Sequence, residues 1–395
     1  MKPSHLVIGL MSGTSLDGVD AALVEIAGSG EGTQIQLKHF VSVPFAQEVQ
    51  AELLRVASQT PVPARVISHL NFLLATLYTE AITQLCEEAG IELSQVDLIG
   101  SHGQTIFHQS ESAPFCGRML ASTLQIGEGS LLAENTGITT ISDFRPRDMA
   151  AGGKGAPLIP YVDYLLFKDQ HLGRILLNVG GIANITSLPA AATIEQVKAF
   201  DTGPGNMVID ALVRRFTNAE KTYDANGLIG AKGQVISPLL ENLLTDPFFQ
   251  AQPPKTAGRE QFGQAFVQQM LDYSKTSHFE DLVCTATELT ARSVAAAVTR
   301  FVLAETAVQQ LIVSGGGARN AFLMQRLQSA LPDIKVLSSD DLGLPTAAKE
   351  AIGFAILANE TLHLHPGNVP TATGARHPAV LGKVVYGNNY TQLRG

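Results

Sequence analysis

Three glycine-rich loops and one carboxylate hold the groups in this sequence best placed to do chemistry. The first loop, GLMSGTSLDGVD at 9–20, sets the hydroxyls of Ser12, Thr14 and Ser15 around Gly13 and follows them with two carboxylates, Asp17 and Asp20. The second is NVGGIAN at 178–184 and the third SGGGARN at 314–320. A phosphate chain needs backbone N–H groups aimed at it and little side-chain bulk, which a glycine turn at a strand or helix end supplies. One glycine turn alone is as readily an ordinary hairpin. Three hydroxyls within four positions, and three such loops in one chain, point to a nucleotide. The carboxylate is Asp201 in FDTGPGN at 200–206, at a strand end before a Gly-Pro-Gly turn and a helix start. There it either projects into a cleft or merely caps the helix or holds the turn.

Rival chemistries lack their spacing. No G-x-x-x-x-G-K-[ST] occurs, since Gly153-Lys154-Gly155 has neither the earlier glycine nor the hydroxyl, and no G-x-G-x-x-G follows a strand and opens a helix. Gly13-Thr14-Ser15-Leu16-Asp17 misses the last glycine of a serine-hydrolase elbow. Cys86, Cys116 and Cys284 show neither metal spacing nor a disulfide framework, and fit a reducing cytoplasm. His363 and His365 read as surface residues rather than metal ligands.

These groups have to be positioned by short apolar runs that end in glycine. Residues 6–11 and 19–26 predict a hairpin with a polar tip, 34–40 a third strand, 46–58 and 63–89 helices, and 96–100 a strand running into the loop Ser101 to Thr105. The second half repeats that grammar. Strands at 174–179 and 182–188 flank Gly180-Gly181, helices follow at 205–216, 237–244, 260–274 and 286–303, and a strand at 310–314 delivers the third loop into a helix. LIGSHGQT at 98–105 and LIVSGGGARN at 311–320 are each a strand emptying into a Ser/Gly loop. The repetition predicts a duplicated α/β unit around a central cleft. The charge, glycine and proline of 143–160 mark the boundary between copies, and the proline-rich tail from 362 reads as irregular.

At 395 residues the chain is long for one domain, and 45% hydrophobic against 16% charged residues gives ample core. A net charge of −9 disfavours a polyanionic partner such as nucleic acid. The N-terminal residues form neither a signal peptide nor a membrane span, and no apolar run approaches the roughly 20 residues a spanning helix needs.

GLMSGTSLDGVD, GSHGQTIFH, DFRPRDMAAGGKGAPLIP, NVGGIANIT, FDTGPGN and SGGGARN, in that order, resemble the anhydro-N-acetylmuramic acid kinase family, over nearly the whole chain. The resemblance implies two ribonuclease-H-like domains in a duplicated actin-like/sugar kinase ATPase fold, with an interdomain cleft that clamps ATP between glycine hairpins. The first domain is expected at 1–145, with the first phosphate hairpin and part of the sugar site. The second is expected at 146–361, with the second hairpin, Asp201 and the adenosine loop, and an irregular tail at 362–395 packs on the surface. The implied reaction opens a 1,6-anhydro sugar ring by hydrolysis and transfers the ATP γ-phosphoryl group to O6.

By the same resemblance Asp201 is the general base, and Arg147, Thr105 and Glu350 contact the sugar. The flanking carboxylates Asp143 and Asp148 are as readily part of a surface ion-pair network. His102 either hydrogen-bonds the sugar or satisfies loop backbone. Ser12, Gly13, Thr14, Ser15, Leu16, Asp17, Gly18 and Val19 take one side of the phosphates, Gly180, Gly181 and Asn184 the other, and Gly315, Gly316, Gly317 and Asn320 lie near adenosine. Mg²⁺ accompanies ATP. No aspartate precedes Gly13-Thr14, which leaves its protein ligand open, with Asp17 acting directly or through water. A homodimer is a further implication.

Overall fold

The computed structural model describes residues 4–13, 15–58, 60–273 and 278–391. The chain begins β1 (Ser4–Ser12), β2 (Gly18–Ala27), β3 (Gln34–Pro44), α1 (Gln47–Ala57), α2 (Ala64–Ala89), β4 (Leu98–Phe115), β5 (Arg118–Ile126), α3 (Gly129–Thr136), β6 (Thr140–Ser142), α4 (Phe144–Ala150) and α5 (Ile159–Phe167). It continues with β7 (Arg174–Val179), β8 (Ile182–Leu188), β9 (Lys198–Pro204), α6 (Asn206–Phe216), α7 (Ser237–Leu243), α8 (Pro247–Gln250), α9 (Arg259–Phe262), α10 (Gln264–Tyr273) and α11 (Phe279–Phe301). Next come β10 (Gln310–Ser314), α12 (Ala321–Ala330), β11 (Lys335–Ser338), α13 (Lys349–Leu362), α14 (Pro370–Thr373) and β12 (Lys383–Val385).

The repeated grammar becomes a repeated topology. In one sheet the order is β3-β2-β1-β4-β6, and in the other β9-β8-β7-β10-β11. In each, the first three strands are an antiparallel meander, and the fourth and fifth run parallel to the first. Two copies of this five-strand order make the fold class a mixed α/β duplication of the ribonuclease-H-like kind. Among the described residues no helix is long and apolar enough to cross a membrane.

Two compact units result, Met1–Leu166 with Ala348–Gly395, and Phe167–Ala347. The resemblance puts the divisions after 145 and after 361; compactness places them after Leu166 and before Ala348. The returning segment joins the first unit because α13 lies directly on its sheet. Gly9 and Gly100 sit inside β1 and β4 rather than at strand ends, and a Cβ on them would stand 1.8 Å from the Ala351 carbonyl oxygen and 2.1 Å from that of Phe354. Only glycine lets backbone meet backbone there. α2 packs on the same unit through Leu70, Leu74, Tyr78, Ile82 and Leu85, all buried at helical spacing, and ends on Gly90 in the left-handed conformation.

The tail is more regular than its prolines suggest. β12 pairs antiparallel with β6, Val384 opposite Ile141, and extends the first sheet by a strand. Asn389 fixes the tail further on, its Oδ1 accepting from the Thr139 backbone N–H at 2.8 Å and its Nδ2 donating to the Asp97 carbonyl at 2.8 Å. In the second unit, 260–274 is split at Gly263 into α9 and α10. There a Cβ would meet the Arg259 carbonyl at 2.2 Å.

Candidate functional site

In the second unit the pleat lines up a polar row. Cross-strand register places Ser314 of β10 beside Asn178 of β7, Asn178 beside Asn184 of β8, and Asn184 beside Asp201 of β9. Partners in register point to the same face. Asp201 lies inside β9, with three strand residues after it, rather than at a strand end. Its carboxylate does not cap α6, whose N-cap is Gly205 without a side-chain bond. Instead Oδ2 accepts the Ala257 N–H at 2.7 Å, and Oδ1 has no hydrogen-bond partner among the described residues. Burial pushes the Asp201 pKa up to about 6, with Glu260 adding to the rise, while the Ala257 N–H and Lys255 oppose it. This carboxylate is ionised at neutral pH yet far more basic than an exposed aspartate.

The two glycine loops of this unit meet beside the row. Asn206 donates its backbone N–H to the Gly180 carbonyl at 2.7 Å and its Nδ2 to the Val179 carbonyl at 3.1 Å. Gly315 has φ +77, and a Cβ there would strike Asn178 Oδ1 at 2.5 Å. A Cβ on Gly317 would strike Val179 Cγ1 at 2.4 Å, so packing alone accounts for glycine at both positions. Gly316 is looser, with Asn206 Nδ2 at 3.3 Å. Gly180 differs: its nearest neighbour would be 3.9 Å away and its backbone is unstrained. Gly181 would touch only the Met207 side chain, at 3.3 Å. Asn320 is committed to structure, its Oδ1 capping α12 by accepting from the Leu323 N–H at 2.9 Å.

In the first unit, Ser12 closes the hairpin loop by donating to the Gly18 carbonyl at 2.9 Å and to Gln104 Oε1 at 2.6 Å. Gln104 returns a bond from Nε2 to the Gly13 carbonyl at 3.0 Å. The stretch Ser101 to Thr105 is therefore strand, not loop: β4 runs through it, Ser101, His102 and Gln104 are buried, and Gln104 is bonded to the hairpin. Thr14 lies outside the described residues. Ser15 Oγ donates to Asp17 Oδ1 at 2.6 Å at the exposed tip. Leu16 and Val19 turn their side chains into the core, leaving only their backbone to the loop, and a Cβ on Gly18 would meet the Val43 carbonyl at 2.4 Å. Gly13 is open, with nothing nearer than Ser15 Oγ at 3.7 Å.

His102, Arg145 and Glu350 form a second cluster in this unit. His102 Nε2 faces Arg145 Nε at 3.1 Å and Nη2 at 2.9 Å, so it accepts from the guanidinium and the ring is neutral. Burial, then the arginine's charge, pull the His102 pKa down to about 3. Arg145 also donates to the Gly155 carbonyl at 2.8 Å. Glu350, at the start of α13, has its pKa raised by burial; Lys349 and Arg145 oppose that rise, and Asp20 and Asp163 add to it. Lys349 itself pairs with Asp163 at 2.7 Å, both buried. Thr105 accepts from Gln125 Nε2 at 3.2 Å.

Arg147 is exposed and makes no side-chain hydrogen bond or ion pair among the described residues. Asp143 pairs with Lys383 at 2.6 Å. Asp148 is fully buried and therefore not part of a surface ion-pair network. The phase of α4 decides this division: Phe144, Arg145 and Asp148 turn inward and Arg147 outward, a phase that alternating charges alone did not reveal. Gln104 and Arg145 are thus the residues that sequence reasoning passed over. Among the described residues, no three His, Cys, Asp or Glu side chains gather as a metal site. His363 bonds the Asn359 carbonyl through Nδ1 at 2.8 Å.

Comparison with known proteins agrees with this arrangement. A sequence model of the family described as anhydro-N-acetylmuramic acid kinase matches residues 5–387. A protein of that name from Caldanaerobacter subterraneus subsp. tengcongensis is 45% identical over 97% of this chain and 97% of its own length. Another, from Bacillus cereus strain AH187, is 44% identical over 96% of this chain and 99% of its own. With a family model spanning residues 5–387 and whole-length identity of this order, the chain belongs to the anhydro-N-acetylmuramic acid kinase family and is a phosphotransferase.

Proposed function

We propose that the protein couples hydrolytic opening of 1,6-anhydro-N-acetylmuramic acid to phosphorylation of its O6 by ATP. The observation that carries this reading is Asp201, a carboxylate with one oxygen tied to Ala257, the other without a hydrogen-bond partner among the described residues, and a pKa raised to about 6. Oδ1 takes a proton from water as the water oxygen bonds to C1. The C1–O6 bond breaks, O6 takes the γ-phosphoryl group, and ADP leaves. Asp201 then gives its proton up to solvent, so that sugar, ATP and water balance against N-acetylmuramic acid 6-phosphate, ADP and one proton, a reaction suited to recycling cell-wall sugars. A base of pKa near 6 is ionised at neutral pH and still accepts a proton in the transition state.

Glu350 and Arg145, with Thr105 and Arg147, supply the charge and hydrogen bonding to orient the sugar; the exposed Arg147 fork is free to take its carboxylate. Gly13, Gly180 and Gly181 offer backbone to phosphate oxygens. Magnesium retains most of its waters and uses phosphate oxygens, so a three-carboxylate cage is not needed, and Asp17 is the loop group suited to reach it directly or through water. When bound, it neutralises charge on the polyphosphate. Three free cysteines fit a reducing compartment such as the cytoplasm.

Mass spectrometry of the sugar product formed from Mg·ATP in ¹⁸O-labelled water tests the reaction. The expected product carries phosphate at O6 and the label at C1. Phosphosugar without label would mean an ordinary kinase acting on a free hydroxyl, and ATP hydrolysis indifferent to sugar would mean a nucleotide-switched binding protein. The loop assignment has its own check in Gly180→Ala. Its methyl meets open space, so stability should stay within about 0.5 kcal/mol of the parent. Calorimetric affinity for Mg·ATP should fall about tenfold, the loss of roughly one charge-assisted hydrogen bond. Unchanged affinity would remove this loop from the nucleotide site.

A further inference from the structure

We propose that Lys255 is a positioning residue for Asp201: its buried side chain pins the segment 255–257, whose backbone clasps Asp201 at two points, and its ammonium supplies the positive charge beside that carboxylate. The inference rests on Asp201 being the base. The Asp201 N–H donates to the Lys255 carbonyl at 3.0 Å, and the Ala257 N–H donates to Asp201 Oδ2 at 2.7 Å. Residues 251–258 belong to no helix or strand, so this clasp needs an anchor outside the segment's own backbone.

Lys255 provides the anchor. It is 7% exposed, its Nζ donates to the Phe248 carbonyl at 2.9 Å, and the ammonium lies 4.5 Å from the Phe248 ring centroid and 5.4 Å from that of Phe301. One carbonyl and two aromatic faces satisfy the cation, with no carboxylate bonded to it among the described residues. An apolar side chain would fill such a slot without the cost of withdrawing an ammonium from water. The charge has a use only for what it faces. Asp201 and Arg300 face Lys255; Lys255 and Glu260 face Asp201. Burial, then Arg300, bring the Lys255 pKa down to about 8, which leaves it mainly protonated at neutral pH.

Lys255→Met and Lys255→Arg in the full chain test the proposal. Two readouts are needed: kcat and KM against pH, and the titration midpoint of the Asp201 carboxyl by NMR with ¹³C-labelled aspartate, assigned by its loss in Asp201→Asn. Removing the cation in Lys255→Met should raise that midpoint and carry the acid limb of kcat with it. Above the limb, kcat should fall about ten- to a hundredfold, with KM changed less than about threefold. Lys255→Arg should keep the midpoint but lose at least about tenfold in kcat, because a planar guanidinium does not seat like an ammonium.

An unmoved midpoint in Lys255→Met, with a pH-independent loss of activity that follows the melting temperature, makes the residue merely structural and overturns the proposal. Wild-type kcat in Lys255→Arg overturns the positioning whether or not the methionine variant folds. Wild-type turnover in Asp201→Asn would instead remove the base assignment while leaving the carboxyl titration to report the coupling.

Discussion

Asp201→Asn is expected to lower kcat roughly 10²- to 10⁴-fold while leaving nucleotide affinity nearly unchanged. An asparagine can turn its carbonyl oxygen to the Ala257 N–H and so preserve the clasp, but the amide placed where Oδ1 stands cannot accept a proton. If Asp201 is the base, the parent's kcat/KM should rise with pH through about 6, since a base works only when ionised and the Asp201 pKa is raised from the usual 3.8 to about 6. That limb should vanish in the variant.

Stability should move the opposite way. The folded carboxyl holds its proton more tightly than the unfolded one, so its favourable contribution is present below about pH 4 and lost as pH rises through about 6. At pH 7.5 the parent therefore bears the cost of a half-buried charge, and the variant should be about 1–2 kcal/mol more stable, with a smaller gain at pH 5. Thermal unfolding at the two pH values reads this directly. A variant that turns over like the parent, or one that is less stable at both pH values, would show that Asp201 serves structure rather than catalysis.

How far the sequence disclosed the site depends on how local the determining contacts are. The hairpin at 174–188 was legible to the residue, because apolar runs on either side of Gly180-Gly181 specify strand, turn and strand without outside help. The passage of β4 through Ser101 to Thr105 was not. Polar residues there read as loop, but in the structure Gln104 is bonded by Ser12 of the hairpin, 92 residues away, and His102 by Arg145 of α4. Gly9 falls within the strand expected at 6–11 and Gly100 ends the one expected at 96–100, yet the reason for glycine at both lies in α13, more than 240 residues further on, whose carbonyls come too close for any Cβ. Asp201 stood out through its glycine-rich surroundings, whereas Lys255 did not, since a lysine among prolines and threonine reads as surface until its ring neighbours are known. Residue type and spacing thus pointed to the groups proposed to react, and tertiary contact alone showed the groups packed and bonded around them.

Asp148 illustrates the holding groups, and its removal should be the most damaging to stability. Its side chain is fully buried, with Oδ2 accepting the Gly155 N–H at 2.8 Å and Oδ1 accepting Asn368 Nδ2 at 2.7 Å and Thr373 Oγ1 at 2.8 Å. Those donors come from the glycine-rich turn after α4 and from the segment around α14, so one carboxylate ties together two stretches with little regular structure. Asp148→Ala would strand three buried donors at once, each costing about 1–3 kcal/mol when left unsatisfied, with partial relaxation bringing the loss to about 3–5 kcal/mol. Asp148→Asn should recover only part of that loss, because its NH₂ must face either the Gly155 N–H or the Asn368 and Thr373 donors. Arg145, which bonds the Gly155 carbonyl at 2.8 Å and presents its guanidinium to His102, depends on the same turn. Denaturant unfolding of the two variants and the parent checks the order, parent above asparagine above alanine. An alanine variant within about 1 kcal/mol of the parent would mean that water replaces the carboxylate, and that the turn and tail need no common anchor.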